Sequence, residues 1–340
     1  MSTGRAVFTV RFQAMLSWKH RSAATPLLWT AALVTLAASF GHQALPAADP
    51  PPTGTRLDPL AIEIGSEDAL YAAPTTRDRI GRIMAPVVIN GQGPFRFIVD
   101  TGASRSAISP RLAARLGLVP AADSLVTIHG VTGAGAVPSV VVDEFKAGDI
   151  VLRNRRLPVI EPTVFADADG ILGVEGFDGM RITVDFEKDQ IEITRASRAW
   201  RAGEWSRVPV RLRFGRLMVA NATIGRKRVK AVIDTGAERT LGNLALRSLL
   251  HLDKAAEKES TERRVTGATA EIETANSIPA PEISLGGVGI RRLDVAFADL
   301  NVFRVWGLEN EPAIVIGMDA LGTTHGLLFD YKRAELLIRP

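Results

Sequence analysis

The chain has 340 residues, 46% of them hydrophobic and 23% charged, with 30 Gly, 19 Pro and no Cys. That length suits about two domains, and the composition excludes a disordered, collagen-like or coiled-coil chain. Without Cys there is no disulfide framework, thiol nucleophile or thiolate metal site. The formal net charge of +4 is local. Four of the 41 basic residues (Arg5, Arg11, Lys19, Arg21) lie in residues 1–48, which hold no acid, and this leaves 37 against 37 acidic residues beyond them. The excess is thus no sign of a polyanionic partner, and no nucleic-acid binding is expected.

Residues 1–48 read as an export signal or a signal anchor. A basic lead is followed by an apolar run from Pro26 to Phe40 and a Pro-rich exit, the order of an export signal. The run is shorter than the roughly 20 residues of a membrane-spanning helix, so a cleaved signal is the first expectation and an anchor over residues 26–45 the second. Either way the remainder is expected to be exported, periplasmic or otherwise extracytoplasmic, or held at a membrane by this segment. Residues 49–76 are Pro-rich and acidic and read as a linker or a pro-segment that covers the site until removed.

The rest is a two-copy repeat. The first half is expected over residues 77–195, a linker with Trp200 and Trp205 over 196–206, and the second half over 207–340. In chain order the first half predicts a hairpin from strands 87–90 and 95–99 around the turn 91–94. It ends on Asp100-Thr-Gly-Ala103. Ser109 and Pro110 open a short helix over 110–116 that Gly117 ends. A Gly-rich turn follows at 129–133, then the apolar element Ile171-Leu-Gly173, where Gly176 interrupts any following helix. The half closes with a hairpin over 181–186 and 191–194. The second half repeats the series: Asp234-Thr-Gly-Ala237, a helix over 243–251, Val265-Thr-Gly267, Val315-Ile-Gly317, a short helix over 318–321, and a hairpin over 327–331 and 335–338. The offset is 134 from Asp100 to Asp234 and 144 from Gly173 to Gly317, so a loop insertion is expected at residues 301–312. A period this long with two copies is a duplicated domain rather than a solenoid. Short strands, Gly and Pro turns and few helices predict an all-β, barrel-like fold in each half.

The chemistry rests on the two Asp-Thr-Gly-Ala copies. In each, an apolar strand delivers an Asp to a small turn whose main-chain N–H groups can face the carboxylate. One copy alone is commonly only a turn with a capping Asp. Two copies related by a pseudo-two-fold axis bring Asp100 and Asp234 face to face. Two carboxyls that close share one proton, so one serves as base and the other as acid toward a water and a polarised amide.

With these motifs the chain resembles the aspartic proteases, and the retropepsin-like branch more than pepsin, in a duplicated single-chain form. The resemblance runs from about residue 80 to 338. It implies the bilobal pepsin/retropepsin-like fold and a catalytic dyad of Asp100 and Asp234. Thr101 and Thr235 would interlock the two loops, and Gly102 and Gly236 would permit the tight turns. Ala103 and Ala237 stand where a hydroxyl would otherwise bond the carboxylate, so the resemblance implies a raised dyad pKa and a milder optimum than pepsin's. Candidate substrate contacts are Ser104, Glu238, Gly133 and Gly267, the two glycines on Gly-rich flaps. Only Tyr71 and Tyr331 occur, so no flap tyrosine is expected. The implied activity is an aspartic endopeptidase acting on a polypeptide or peptide substrate, without cofactor, as a monomer that is an internal pseudo-dimer. The alternative is a catalytically silent peptide-binding or regulatory module on the same fold. The five His show no metal-ligand spacing, and no metal is expected.

Overall fold

A computed structural model describes residues 72–74, 81–120, 123–161, 165, 167–201, 203–251, 260–269 and 271–340. The expected export signal, residues 26–45, Tyr71 and nearly all of the expected pro-segment lie outside the described residues. Among the described residues no helix is long and apolar enough to cross a membrane.

The described chain is mostly β, in two lobes. In the first, Met84–Ile89 and Gln92–Val99 form an antiparallel hairpin. Its turn is tighter than the sequence suggests. Asn90 and Gly91 both adopt positive φ, 49° and 74°, as a two-residue hairpin turn of the Asn-Gly type demands. Gln92, Gly93 and Pro94 therefore belong to the strand.

The strand Gly170–Leu172 runs parallel to Gln92–Val99 and antiparallel to Ala107–Ile108. It thus returns between the two arms that flank the first Asp-Thr-Gly turn. The second lobe repeats this, with Ala313–Ile316 parallel to Lys227–Ile233 and antiparallel to Leu241–Gly242. The glycine ending each middle strand is required by crowding: a Cβ on Gly173 would stand 2.4 Å from the Arg105 carbonyl carbon, and one on Gly317 2.6 Å from that of Arg239.

The two longer of the three expected helices form as Pro110–Arg115 and Leu244–Leu249. They are capped by Ser109 and Asn243, whose side-chain oxygens accept from Leu112 N and Leu246 N. The helix after Gly173 is reduced to a single 3₁₀ turn, Val174–Gly176, while Met318–Leu321 is helical. The insertion expected as a loop carries the helix Asn301–Val305, with Val302 and Phe303 buried. Its return is tied down by Asn243, whose amide donates to the carbonyls of Leu308 (2.6 Å) and Glu311 (2.7 Å). The pattern of Leu300, Val302 and Phe303 supplies an apolar face, and burying it makes the segment structural rather than a surface excursion.

The lobes share one sheet. Met180–Asp185 pairs antiparallel with Gly326–Asp330, and each carries its own hairpin partner, Gln190–Arg195 and Glu335–Arg339. Each lobe's Asp at the end of this sheet binds an Arg of the other lobe. Arg181 reaches Asp330 at 2.9 Å, and Arg339 reaches Asp185 at 3.0 Å. Ile182, Val184, Leu327 and Phe329 lie in the main apolar core, which is continuous across the junction.

Candidate active site

Asp100 follows the strand Gln92–Val99, and Asp234 follows Lys227–Ile233. The middle strands fix both: Asp100 N donates to Leu172 O and Asp234 N to Ile316 O. Thr101 and Thr235 join the turns. Thr101 N donates to Thr235 Oγ1 (3.2 Å) and Thr235 N to Thr101 Oγ1 (3.0 Å). The hydroxyls donate onward across the junction, Thr101 to Ile233 O and Thr235 to Val99 O. Both threonines are buried, so each lost bond would leave an unsatisfied group in the interior.

This lock sets the carboxyls against each other's turns. A Cβ on Gly102 would lie 2.3 Å from Asp234 Cγ, and a Cβ on Gly236 2.2 Å from Asp100 Cγ. Only glycine fits either place. The two carboxyls act directly on each other, and N–H donation to them is unequal. Asp234 Oδ1 accepts from Gly236 N (2.9 Å) and Ala237 N (3.1 Å). Asp100 Oδ1 accepts from Gly102 N alone (2.9 Å), because Ala103 N turns to the main-chain oxygen of Asp100.

Burial pushes both carboxyls above the ordinary carboxylate range. For Asp100 the neighbouring charge of Asp234 pushes further, against the single Gly102 N–H, and its pKa is raised well above the usual value. For Asp234 the two N–H donors oppose burial and leave a smaller rise. The two N–H donors favour the charged form of Asp234 more than the single donor favours that of Asp100, and the carboxyls titrate as one pair.

A family model described as aspartyl protease matches residues 85–175 and 220–320, one Asp-Thr-Gly-Ala turn in each segment. Together they make up more than half of the chain. The chain belongs to the aspartyl protease family. No curated protein matches it significantly.

In this family member two further acids support the turns, and their place after the two glycines is not singled out by the sequence motifs. The Glu175 carboxylate accepts from Ser106 N at 2.8 Å, and Ser106 Oγ accepts from Gly173 N. In the other lobe Asp319 accepts from Thr240 N (3.0 Å) and Thr240 Oγ1 (2.7 Å), and that hydroxyl accepts from Gly317 N. Burial raises both acids, opposed by these same bonds. The repeat offset was the available signal, since Glu175 and Asp319 occupy the same place after their glycines.

Two hairpins meet near the first turn. The first, Val126–His129 with Ala134–Val137, turns at residues 130–133; the second pairs Thr261–Thr266 with Ile272–Pro279. Ile128 and Ala268, one from each, pack with Ala103 on a small apolar cluster that includes Met84, Ile98 and Ile171. The tips meet, and Thr132 Oγ1 donates to Glu271 O at 2.9 Å. Gly133 and Gly267 lie at that contact. A Cβ on Gly133 would strike the Glu271 carboxylate, and one on Gly267 would come within 2.9 Å of Val131 N. The first hairpin is also held from the second lobe: Asn301 Nδ2 donates to Gly130 O (3.2 Å) and Gly133 O (3.0 Å), and Val302 N to Val131 O (3.2 Å).

Ser104 and Glu238 are exposed beyond the two turns. Ser104 abuts Gly215, whose added Cβ would lie 3.2 Å from Ser104 Cβ. Glu238 pairs with Arg239 at 3.6 Å. Tyr331 lies at the lobe junction, its ring edge-on to Phe177, and is no part of a flap. Among the described residues no group of three or more His, Cys, Asp or Glu is placed to hold a metal ion.

Proposed function

We propose that the protein is an aspartic endopeptidase of the retropepsin-like, single-chain duplicated form, with Asp100 and Asp234 as its catalytic dyad. The observation that carries this reading is the facing pair of carboxyls with unequal N–H donation. A water held between them loses a proton to ionised Asp234 and attacks the scissile carbonyl carbon, while Asp100 gives its proton to the carbonyl oxygen. The tetrahedral diol then collapses. Asp234 returns its proton to the leaving nitrogen, and Asp100 recovers one from the diol, so the amide becomes an acid and an amine. Thr101, Gly102, Ala103, Thr235, Gly236 and Ala237 support the dyad. Ser104, Glu238, Gly133 and Gly267 contact the substrate, with Glu238 the only acid of the four. Residues 1–48 export or anchor the enzyme, which acts outside the cytoplasm as a monomer.

The test is cleavage of a peptide library by the wild type, Asp100→Asn and Asp234→Asn, with and without a statine-type inhibitor. Cleavage lost in both variants and blocked by the inhibitor supports the reading. Cleavage surviving both substitutions overturns it. Inhibitor binding without any cleavage by the wild type would identify the silent peptide-binding module instead.

A further inference from the structure

We propose that a basic sheet face of the second lobe, bordered by the Trp-bearing linker, docks on the anionic headgroups of a lipid bilayer. The inference goes beyond the peptidase reading and does not depend on it.

Charge balances over the chain beyond residue 48 but is unevenly spread. Residues 206–233 hold eight basic residues and no acid. They form three neighbouring strands, Ser206–Arg213, Leu217–Ile224 and Lys227–Ile233. Successive side chains of a strand point to opposite faces. One face buries Met218, Ala220, Ala222 and Ile224. The other exposes Arg211 and Arg213 on the first strand, Asn221 on the second, and Arg228 and Lys230 on the third. The register fixes this sharing: Arg211 lies opposite Val219, Asn221 opposite Lys230, and Thr223 opposite Arg228. Among the described residues none of these four cations has a carboxylate partner, and Lys230 Nζ donates to Asn221 Oδ1 at 3.2 Å. Glu282, whose carbonyl accepts from Gly225 beside the face, is itself paired with Arg291 at 2.5 Å. Strands about 4.8 Å apart put the outer two on the order of 10 Å from each other. That is about one Debye length at physiological salt, so the cations act as a common field.

Two further observations favour a bilayer as the anionic partner. The first is the linker. Arg207 follows the same alternation as Arg211 and Arg213, and its guanidinium donates to Trp200 O at 3.4 Å. The linker therefore borders the basic face. Trp200 and Trp205 meet edge-on at 6.1 Å and are both only half-buried. Arg198 and Arg201 beside them are exposed and have no carboxylate partner among the described residues. Tryptophan favours the membrane–water interface, and an anionic bilayer attracts basic segments next to it. The second observation is where the chain enters. Ala72–Pro74 pairs antiparallel with Gln190–Arg195, Ala72 opposite Glu192 and Pro74 opposite Gln190. The chain preceding Ala72 is thus directed toward Arg195 and the start of the linker. That part of the sequence carries the apolar run from Pro26 to Phe40 and its basic lead. A bilayer contact made there brings the linker and the basic face to the same surface.

The experiment uses the full chain, which has no Cys, so one introduced thiol carries one fluorescent label. Asn221→Cys places it on the basic face, and Val141→Cys places it on an exposed site of the first lobe. Each labelled protein is mixed with vesicles of phosphatidylcholine alone or with phosphatidylglycerol, both bearing a headgroup quencher. Quenching is expected at residue 221, not at residue 141, and on the anionic vesicles only. It should disappear at 1 M salt, where the Debye length is about 3 Å. Arg211→Gln combined with Arg228→Gln should weaken binding to the anionic vesicles about 25-fold, about fivefold for each cation removed. Binding to phosphatidylcholine and the melting temperature should not change. Arg213→Gln with Lys230→Gln should give the same result, which separates lost charge from a local defect. Equal quenching at both sites, or anionic binding unchanged in both double variants, would mean that residues 1–48 alone make the contact, and would overturn the face. A single-stranded DNA that binds the wild type but neither double variant, without any preference for anionic vesicles, would overturn the lipid assignment.

Discussion

Thr183 and Leu328 face each other as antiparallel partners in the sheet that joins the lobes, and they are the same position of the repeat. Equivalent residues meet there because the axis relating the halves passes between them. The same relation recurs at Thr101 and Thr235, which exchange hydrogen bonds. An axis defined both in the junction sheet and at the active-site turns leaves Asp100 and Asp234 no freedom to separate without breaking one of them.

The threonine exchange is the first thing to test. Thr101→Val and Thr235→Val each remove a buried hydroxyl and strand main-chain groups of both lobes. Each is expected to cost about 1–3 kcal/mol, read from urea midpoints, and the two losses should be similar because the bonds are reciprocal. Thr→Ser at either site keeps the oxygen and should recover most of the stability and activity. Unequal losses would show that one lobe tolerates the missing bond.

The dyad predicts opposite effects on activity and stability. Asp100 and Asp234 both have raised pKa values, from burial first and, for Asp100, also from the charge of Asp234. A raised carboxyl binds its proton more tightly folded than unfolded. Its stabilising contribution is present below the ordinary carboxylate value and is lost as pH rises through the folded value. Asp100→Asn should therefore lower cleavage by at least about 10²–10⁴-fold yet raise the melting temperature at neutral pH. The gain should vanish near pH 3, where the Asp is protonated folded and unfolded. The acid limb of the rate profile reports the dyad as a pair, and raised carboxyls place it on the high side of the ordinary carboxylate range. A profile peaking below about pH 3 contradicts these assignments.

Asp330 should behave in the opposite sense. Burial pushes its carboxyl up, but bonds from Arg181 and Arg333 outweigh that and hold it below the usual value. Its stabilising contribution is present above the unfolded value and lost as pH falls through the folded one. Asp330→Asn is expected to cost about 3–5 kcal/mol at neutral pH, because it leaves Arg181 buried without its charge partner. The difference from wild type should shrink on acidification. A difference that does not change with pH would show that packing, not charge, holds the junction at this point.

The acids behind the turns carry a smaller cost. Asp319→Ala strips acceptors from Thr240 N and Oγ1 and should destabilise by about 1–3 kcal/mol, with Asp319→Asn milder because one acceptor remains. A double-mutant cycle with Thr240→Val should give a coupling of about 0.5–3 kcal/mol. Additive losses would mean that the two side chains act independently.

What could be read in the sequence follows the range of the interactions. The repeat, the two Asp turns, the Ser109 and Asn243 caps and the all-β fold rest on local spacing and on comparing one half with the other. Glu175 and Asp319 escaped because their partners Ser106 and Thr240 are 69 and 79 residues away, and neither acid lies in a recognisable run. The turn at Asn90 and Gly91 was misplaced because Gly93 and Pro94 look like turn residues, whereas paired positive φ values put the reversal earlier. The insertion at 301–312 read as a loop because its helix is five residues long and its apolar residues find their partners only in the folded lobe.

Asn301 makes the two hairpins unequal. Its amide bonds Gly130 O and Gly133 O, and the neighbouring Val302 N bonds Val131 O. The insertion of one lobe thus secures the hairpin of the other. Releasing the first hairpin must break these three bonds as well as the Thr132–Glu271 contact, and each bond is worth about 0.5–1.5 kcal/mol. Asn301→Ala should speed hydrogen exchange at residues 126–137 by about tenfold for each 1.4 kcal/mol lost, while exchange at residues 261–266 stays nearly unchanged. Asn301→Asp keeps the size but replaces the donor with an acceptor facing two carbonyls, and should loosen the hairpin further. Equal acceleration in both hairpins would mean that they open as one unit through Thr132 and Glu271, with Asn301 only a passive neighbour.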